Sequence, residues 1–181
     1  SGKLPFSFPA KLTDCGAHAF DELSYPGDSI KQEYKEDILV GYRWHDTKKV
    51  PALFPFGHGL SYTTFTYGKP VASAKAMAAD GTLTVTVAVK NTGSIAGKEI
   101  VQLYVGDDKC SVLRPVKELK HFAKVALAPG QEKSVTFTLT PDDLKFYDEA
   151  SAAWKYEPGK FKAYVCASSA DVRGVVSFEM Q

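Results

Sequence analysis

Acidic side chains are the groups in this chain best suited to bond-breaking chemistry. Asp14, Asp21, Glu22, Asp28, Glu33, Glu36 and Asp37 crowd into its first part. Two carboxylates roughly 5–10 Å apart across a glycosidic bond can divide acid and nucleophile or base work between them. Nothing in their linear order makes any two of these converge, so they read as solvated loop acids. His18, His45, His58 and His121 stand singly, without the paired spacing of a metal site. His58, flanked by Gly57 and Gly59, reads as a structural residue that bonds to main chain. Cys15, Cys110 and Cys166 are far apart, which excludes a zinc ribbon or a disulfide framework. They read as three unpaired thiols, with one disulfide plus a free thiol as the alternative. The serines form no Gly-x-Ser-x-Gly elbow and the glycines no phosphate-cradling loop. Tyr42, Trp44, Phe54, Phe56, Trp154 and Tyr156 have flat rings that suit sugar faces, but beside prolines and glycines they read as core. The chain is therefore expected to hold no catalytic residues, no metal ligands and no cofactor-binding residues.

Composition narrows the classes further. With 181 residues, 44% hydrophobic and 24% charged, the chain suits one large or two small globular domains. A net charge of +1 with lysines scattered among acids lacks the basic face of a nucleic-acid binder. No apolar run reaches the ~18 residues needed to span a bilayer. The opening Ser-Gly-Lys-Leu-Pro-Phe-Ser-Phe-Pro has no apolar h-region, so the export signal of an exported protein is expected outside this sequence.

The elements that must position any site differ between the two parts of the chain. From residue 81 onward, Leu83, Val85, Val87 and Val89 alternate with Thr82, Thr84, Thr86 and Lys90, the period of a half-buried strand. Asn91-Thr92-Gly93 supplies a turn. Further inward faces are Val101, Leu103 and Val105, then Val135, Phe137 and Leu139. Residues 118–127 read as one or two strands with a bend. Phe161, Ala163 and Val165, then Val176, Phe178 and Met180, complete the set, with a short strand around 154–156. Thr140-Pro141-Asp142-Asp143 suits a single helical turn capped by Thr140. With a strand at 62–67 this makes about seven or eight short strands between turns, an antiparallel sandwich of fibronectin type III style.

Residues 1–60 lack such periodicity. Leu4 to Pro9 alternates between prolines as an edge segment does, residues 17–30 read as a long loop, and residues 38–44 are the clearest strand candidate. None of these segments shows an obvious partner, so this part reads as the tail of another domain. The two parts meet at residues 53–65, Leu-Phe-Pro-Phe-Gly-His-Gly-Leu-Ser-Tyr-Thr-Thr-Phe. Its large apolar groups and paired glycines suit an anchored turn with close backbone packing.

This junction, with Gly41-Tyr42-Arg43-Trp44 before it, resembles the C-terminal part of glycoside hydrolase family 3, the β-glucosidase and β-xylosidase group. The resemblance runs through residues 2–9, Tyr25-Pro26-Gly27-Asp28, residues 34–37, Asn91-Thr92-Gly93, residues 97–105, residues 114–120, Leu127-Ala128-Pro129-Gly130 and Asp143-Leu144. It implies a mainly β fold: a fibronectin type III-like (immunoglobulin-like) antiparallel β-sandwich at 61–181, preceded at 1–60 by the C-terminal tail of an α/β sandwich domain. The family's catalytic Asp, on a (β/α)₈ barrel, and its acid/base Glu, on the α/β sandwich, both fall before the point matching Ser1. No position here inherits either role.

The resemblance thus implies a C-terminal structural module of an enzyme that hydrolyses terminal β-linked sugars with retention, itself inactive. Its expected partners are the barrel and α/β sandwich domains of that parent. A β-linked oligosaccharide or glucoside is the parent's substrate, and neither nucleic acid nor membrane is a partner. A periplasmic or secreted parent is favoured. The rival is a carbohydrate- or protein-binding β-sandwich module that works through exposed aromatic rings.

Overall fold

The computed structural model describes residues 2–181. In chain order its strands are β1 (Phe8–Pro9), β2 (Ala52–Phe54), β3 (Phe65–Tyr67), β4 (Val71–Ala72), β5 (Ala76–Met77), β6 (Leu83–Asn91) and β7 (Gly97–Asp107). They continue with β8 (Glu118–Leu127), β9 (Glu132–Leu139), β10 (Phe146–Asp148), β11 (Ala153–Lys155), β12 (Gly159–Cys166) and β13 (Val172–Met180). One α-helix, α1 (Tyr42–Lys48), precedes β2.

Two sheets face each other. One runs β5-β13-β12-β7-β8, antiparallel except where β5 lies parallel to β13. The other is centred on β6, with β9 along one edge and β3 and β4 following one another along the other. This is the fibronectin type III-like sandwich that the alternating strands predict. The inward faces meet as expected: Leu83, Val85, Val87 and Val89 of β6 pack with Val101 and Leu103 of β7, Leu139 of β9, and Phe161, Ala163 and Val165 of β12. Each such fully buried Val, Leu or Phe contributes roughly 1.5–3 kcal/mol. Residues 118–127 form one strand, and the expected bend is a register shift opposite Leu103 and Tyr104. The turn after β9 is a 3-10 turn over Pro141–Leu144, in which the Thr140 N–H donates to Asp143 Oδ2 at 2.8 Å.

Residues before 60 depart from the sequence reading. Residues 38–44 do not form a strand; helix α1 begins at Tyr42 and runs to Lys48. β-propensity loses here to a helical spacing that serves packing. Tyr42 and Asp46, four apart, share one face and reach the sandwich: the Leu119 N–H donates to Tyr42 Oη at 2.9 Å, and Lys117 Nζ donates to Asp46 Oδ2 at 2.6 Å. Left-handed backbone brackets the helix, at Gly41 (φ 61°) and Lys49 (φ 57°). The segment around Pro9 also has a partner, since β1 pairs antiparallel with β2. Strand pairing near the junction is shorter than predicted, covering 65–67 rather than 62–67.

The sharpest difference lies on β7. Alternation predicts one buried face, yet every residue of 101–106 is buried. The outward face, with Gln102 and Tyr104, lies under the earlier segment. Tyr42 meets the Tyr104 ring edge-to-face at 5.6 Å, and Phe56 packs on Tyr42 at 4.9 Å. Residues before 60 therefore roof the outer face of the five-stranded sheet.

Candidate functional site

The junction at 53–65 is built from that roof downward. At its turn the Gly57 N–H donates to the Leu4 carbonyl at 2.8 Å, and the Leu4 N–H donates to the His58 carbonyl at 2.8 Å. The Ser169 N–H, beyond β12, donates to the Phe56 carbonyl at 2.8 Å. Beneath lies a buried polar chain: Tyr104 Oη donates to Gln102 Oε1 at 2.6 Å, and Gln102 Nε2 donates to the carbonyls of Ala167 at 3.0 Å and Gly57 at 3.4 Å. Such buried polar groups hold a single arrangement when every member is bonded. Gly59 admits its neighbour because it lacks a side chain; a Cβ there would stand 2.5 Å from the Gly2 carbonyl oxygen.

His58 bonds through its main chain, also donating its N–H to the Pro55 carbonyl at 3.0 Å, while its ring lies 5.3 Å from that of Phe54. The histidine whose ring bonds to main chain is His45, through Nδ1 and the Val50 carbonyl at 2.9 Å. Beside the junction a cleft of about 660 Å³ is lined by Lys3, His58, Glu99, Tyr67 and Arg173 among others. Lys3 Nζ stands 3.1 Å from Glu99 Oε1 and donates to the Ala167 carbonyl at 3.1 Å.

The large apolar side chains of the junction divide. Phe56 is half-buried and Phe65 packs against the sandwich core, whereas Leu53, Phe54, Leu60 and Tyr62 are exposed, Tyr62 almost completely at 97%. Phe6 and Phe8 of the neighbouring edge segment are exposed as well. Trp44 is core, as expected; Trp154, at 66% exposed, is not.

The acidic residues mostly serve the local chain. Lys35, hydrogen-bonded to Asp21, holds that carboxyl below its ordinary range. The N–H groups of Ile30 and Lys31 do the same for Asp28, and Lys31 and Lys35 for Glu33. Carboxyls held down in this way are poor proton donors near neutrality. Asp46 moves the other way: burial raises it, and the Lys117 hydrogen bond opposes the rise. Asp107 and Glu118 do converge, but on Arg114, whose Nη1 and Nη2 lie 3.4 Å from one oxygen of each. Glu36 is buried with its Oε2 unbonded, a feature that no sequence pattern announces. Among the described residues no cluster of three His, Cys, Asp or Glu could hold a metal ion, and no helix is long and apolar enough to cross a membrane.

All three cysteines are unpaired. Burial pushes the Cys166 thiol up to about 12, and burial raises the phenols of Tyr67 and Tyr104 as well. Below the thiol's ordinary value of 9.0 both states hold these protons. Above it the unfolded chain releases protons that the folded chain keeps, so stability is whole at neutral pH and falls as pH rises toward about 12. At about pH 10.5 the thiol alone removes about 2 kcal/mol. Urea unfolding of Cys166→Ala at about pH 8 and about pH 10.5 is expected to show an alkaline loss smaller by that amount. An equal loss in both proteins would place the effect elsewhere.

The sandwich defines the class, and comparison with known proteins agrees. Residues 99–169 match the fibronectin type III-like domain family. Over 99% of its length the chain is 68% identical to the β-glucosidase BoGH3A of Bacteroides ovatus, covering 24% of that protein. It is 46% identical to a β-glucosidase of Rhizobium radiobacter over 99% of its length, covering 22% of that one. Among solved structures, DesR, a β-glucosidase from Streptomyces venezuelae in complex with D-glucose, superimposes with a TM-score of 0.89 at 41% identity over 99% of this chain and 23% of its own. A GH3 β-glucosidase of Bifidobacterium adolescentis superimposes with a TM-score of 0.89 at 34% identity over 99% of this chain and 26% of its own. The chain thus spans about a quarter of the length of these relatives. Along nearly its whole length it is similar to the C-terminal region of family 3 glycoside hydrolases, including the fibronectin type III-like domain, as the junction motif indicated.

Proposed function

We propose that this chain is the C-terminal structural module of a β-glucosidase-like family 3 glycoside hydrolase whose catalytic pair lies outside residues 1–181. The observation that carries the reading is a match over 99% of the chain to only 24% of a β-glucosidase. The division follows the notion of two parts, with 1–60 ending an α/β sandwich domain and 61–181 forming the fibronectin-like domain. The roof over β7 supports a buttressing role, because it locks the earlier segment to the sandwich through Gln102, Tyr42 and Lys117. The exposed Phe6, Phe8, Leu53, Phe54, Leu60 and Tyr62 offer an apolar contact for the preceding domains. Scattered surface apolar side chains are normal, but a group gathered at one junction marks an interaction surface.

The test is hydrolysis of 4-nitrophenyl β-D-glucoside. The full-length protein is expected to turn the substrate over with retention, and residues 1–181 alone are expected to be inert. Robust turnover by the isolated chain would overturn the structural-module reading. An inert full-length protein would overturn the hydrolase reading itself.

A further inference from the structure

The hairpin of β10 and β11 stands apart from both main sheets as a two-stranded ribbon. Phe146 anchors it: the ring is buried, with the Arg114 guanidinium 5.6 Å and the Lys155 ammonium 5.9 Å from its centre. Alternation then turns the next residue outward. Tyr147 pairs across the ribbon with Trp154, and their rings meet edge-to-face at 5.7 Å and 71°. In that arrangement the edge of one ring meets the face of the other, so the pair hides at most one of its four ring faces. Tyr147 stays 51% exposed and Trp154 66% exposed.

Both rings border a cleft of about 590 Å³ between the hairpin, the loop at 112–115 and the start of helix α1. A cleft of this size falls in the range of small-ligand sites. Four cationic and four anionic side chains line it, among them Arg43, Arg114, Glu118 and Asp148. Several already answer one another: Arg43 Nη2 lies 3.2 Å from Glu118 Oε1, and Arg114 Nη2 and Lys120 Nζ lie 3.4 and 3.5 Å from Glu118 Oε2. Lys155, outside the lining, holds Asp148 Oδ2 at 2.8 Å. One donor on this wall is left over, since the buried Nε–H of Arg43 has no acceptor.

These features select a ligand by exclusion. A charged ligand finds no net field to favour it. An apolar ligand, or an apolar protein surface, would strip water from the charges on the floor without replacing their hydrogen bonds. A neutral polyhydroxylated ring does neither. Its C–H face stacks on the indole, and its hydroxyls both accept from guanidinium and donate to carboxylate. We propose that this cleft is a binding site for neutral saccharide chains, with Trp154 as the stacking platform, Tyr147 as its support, and Arg43 and Glu118 as partners of sugar hydroxyls. The site does not rest on the hydrolase reading, because it requires no chemistry from the chain.

Affinity electrophoresis of the full-length protein tests it, in native gels cast with barley β-glucan, glucomannan, arabinoxylan or, as the charged counterpart, polygalacturonate. Retardation by at least one neutral polymer is expected. Trp154→Ala should weaken it about tenfold, Trp154→Phe should weaken it less, and the melting temperature should hold because this ring is largely exposed. Turnover of 4-nitrophenyl β-D-glucoside should be the same in both variants as in the parent. Unchanged mobility in every neutral gel would overturn the proposal. So would a Trp154→Ala protein as retarded as the parent, or a protein retarded only by polygalacturonate. Retention without hydrolysis would support this site while overturning the hydrolase reading, so the two failures are distinguishable.

Discussion

Replacing Asn91 by alanine is expected to cost about 3–4 kcal/mol of folding stability, read as a lower midpoint in urea. Asn91 ends strand β6 and is fully buried. Its amide is saturated. Oδ1 accepts from Thr63 Oγ1 at 2.6 Å and from the Gly93 N–H at 3.1 Å. Nδ2 donates to the carbonyls of Ile95 at 2.8 Å and Leu127 at 3.1 Å. Those partners belong to the approach to β3, the β6–β7 turn and the end of β8, so one side chain ties the end of one sheet to the edge of the other.

Alanine would leave four polar groups without partners, at about 1–3 kcal/mol for each that water cannot reach. Thr63, Gly93 and Ile95 are partly or largely exposed and rehydrate, so each loses only a net bond of about 0.5 kcal/mol. The buried Leu127 carbonyl costs about 2 kcal/mol, and together these give the stated figure. Asn91→Asp serves as the control. It keeps the shape and the acceptor, but it turns a donor into a charged oxygen facing two carbonyls. It should be at least as damaging at neutral pH and partly recover as acid protonates it. A cost below about 1 kcal/mol for Asn91→Ala would mean that water replaces the amide without loss.

Asn91 also shows what could be read without a structure. Asn-Thr-Gly after an alternating strand announces a turn, and the turn is there. Strands β6, β7, β9, β12 and β13 were legible for the same reason: in a half-buried strand the pattern of side chains is itself the record of burial. The pattern fails where burial comes from a second direction. Gln102 and Tyr104 look like the wet face of β7, because nothing in the period of a strand says that residues from before 60 will cover it. Helix α1 was missed because Val40, Tyr42 and Trp44 are strand-prone, while the contacts of Tyr42 and Asp46 with Leu119 and Lys117 are long-range. Trp154 was misjudged in the opposite sense. Aromatic residues near glycine and proline are usually core, and only the pairing of β10 with β11 turns this one outward. The acids of the first part read as solvated loop acids, because linear order does not announce the lysines and main-chain N–H groups that engage Asp21, Asp28 and Glu33.

At the junction, Gly57→Ala is expected to destabilise the fold by about 3 kcal/mol, the sum of a conformational and a steric cost. The backbone sits at φ 78°, where an L side chain costs roughly 1–2 kcal/mol. The new methyl would also stand 2.5 Å from both terminal atoms of Gln102. The end of a long side chain can usually swing away cheaply, but this one cannot. Gln102 is only 3% exposed, and moving its amide breaks the bonds to Tyr104 Oη and to the Ala167 and Gly57 carbonyls. The two contributions separate in a double-mutant cycle with Gln102→Ala. Removing the amide opens room for the methyl, so the double variant should be more stable than the two single losses predict, by at least about 1 kcal/mol. The part that remains measures the cost of the left-handed backbone. Additive losses would show that the methyl never meets Gln102, and that the glycine is required by the turn alone. A coupled result would show that it is also required by the sheet beneath, which would make the junction motif the joint through which the roof is fixed to the sandwich.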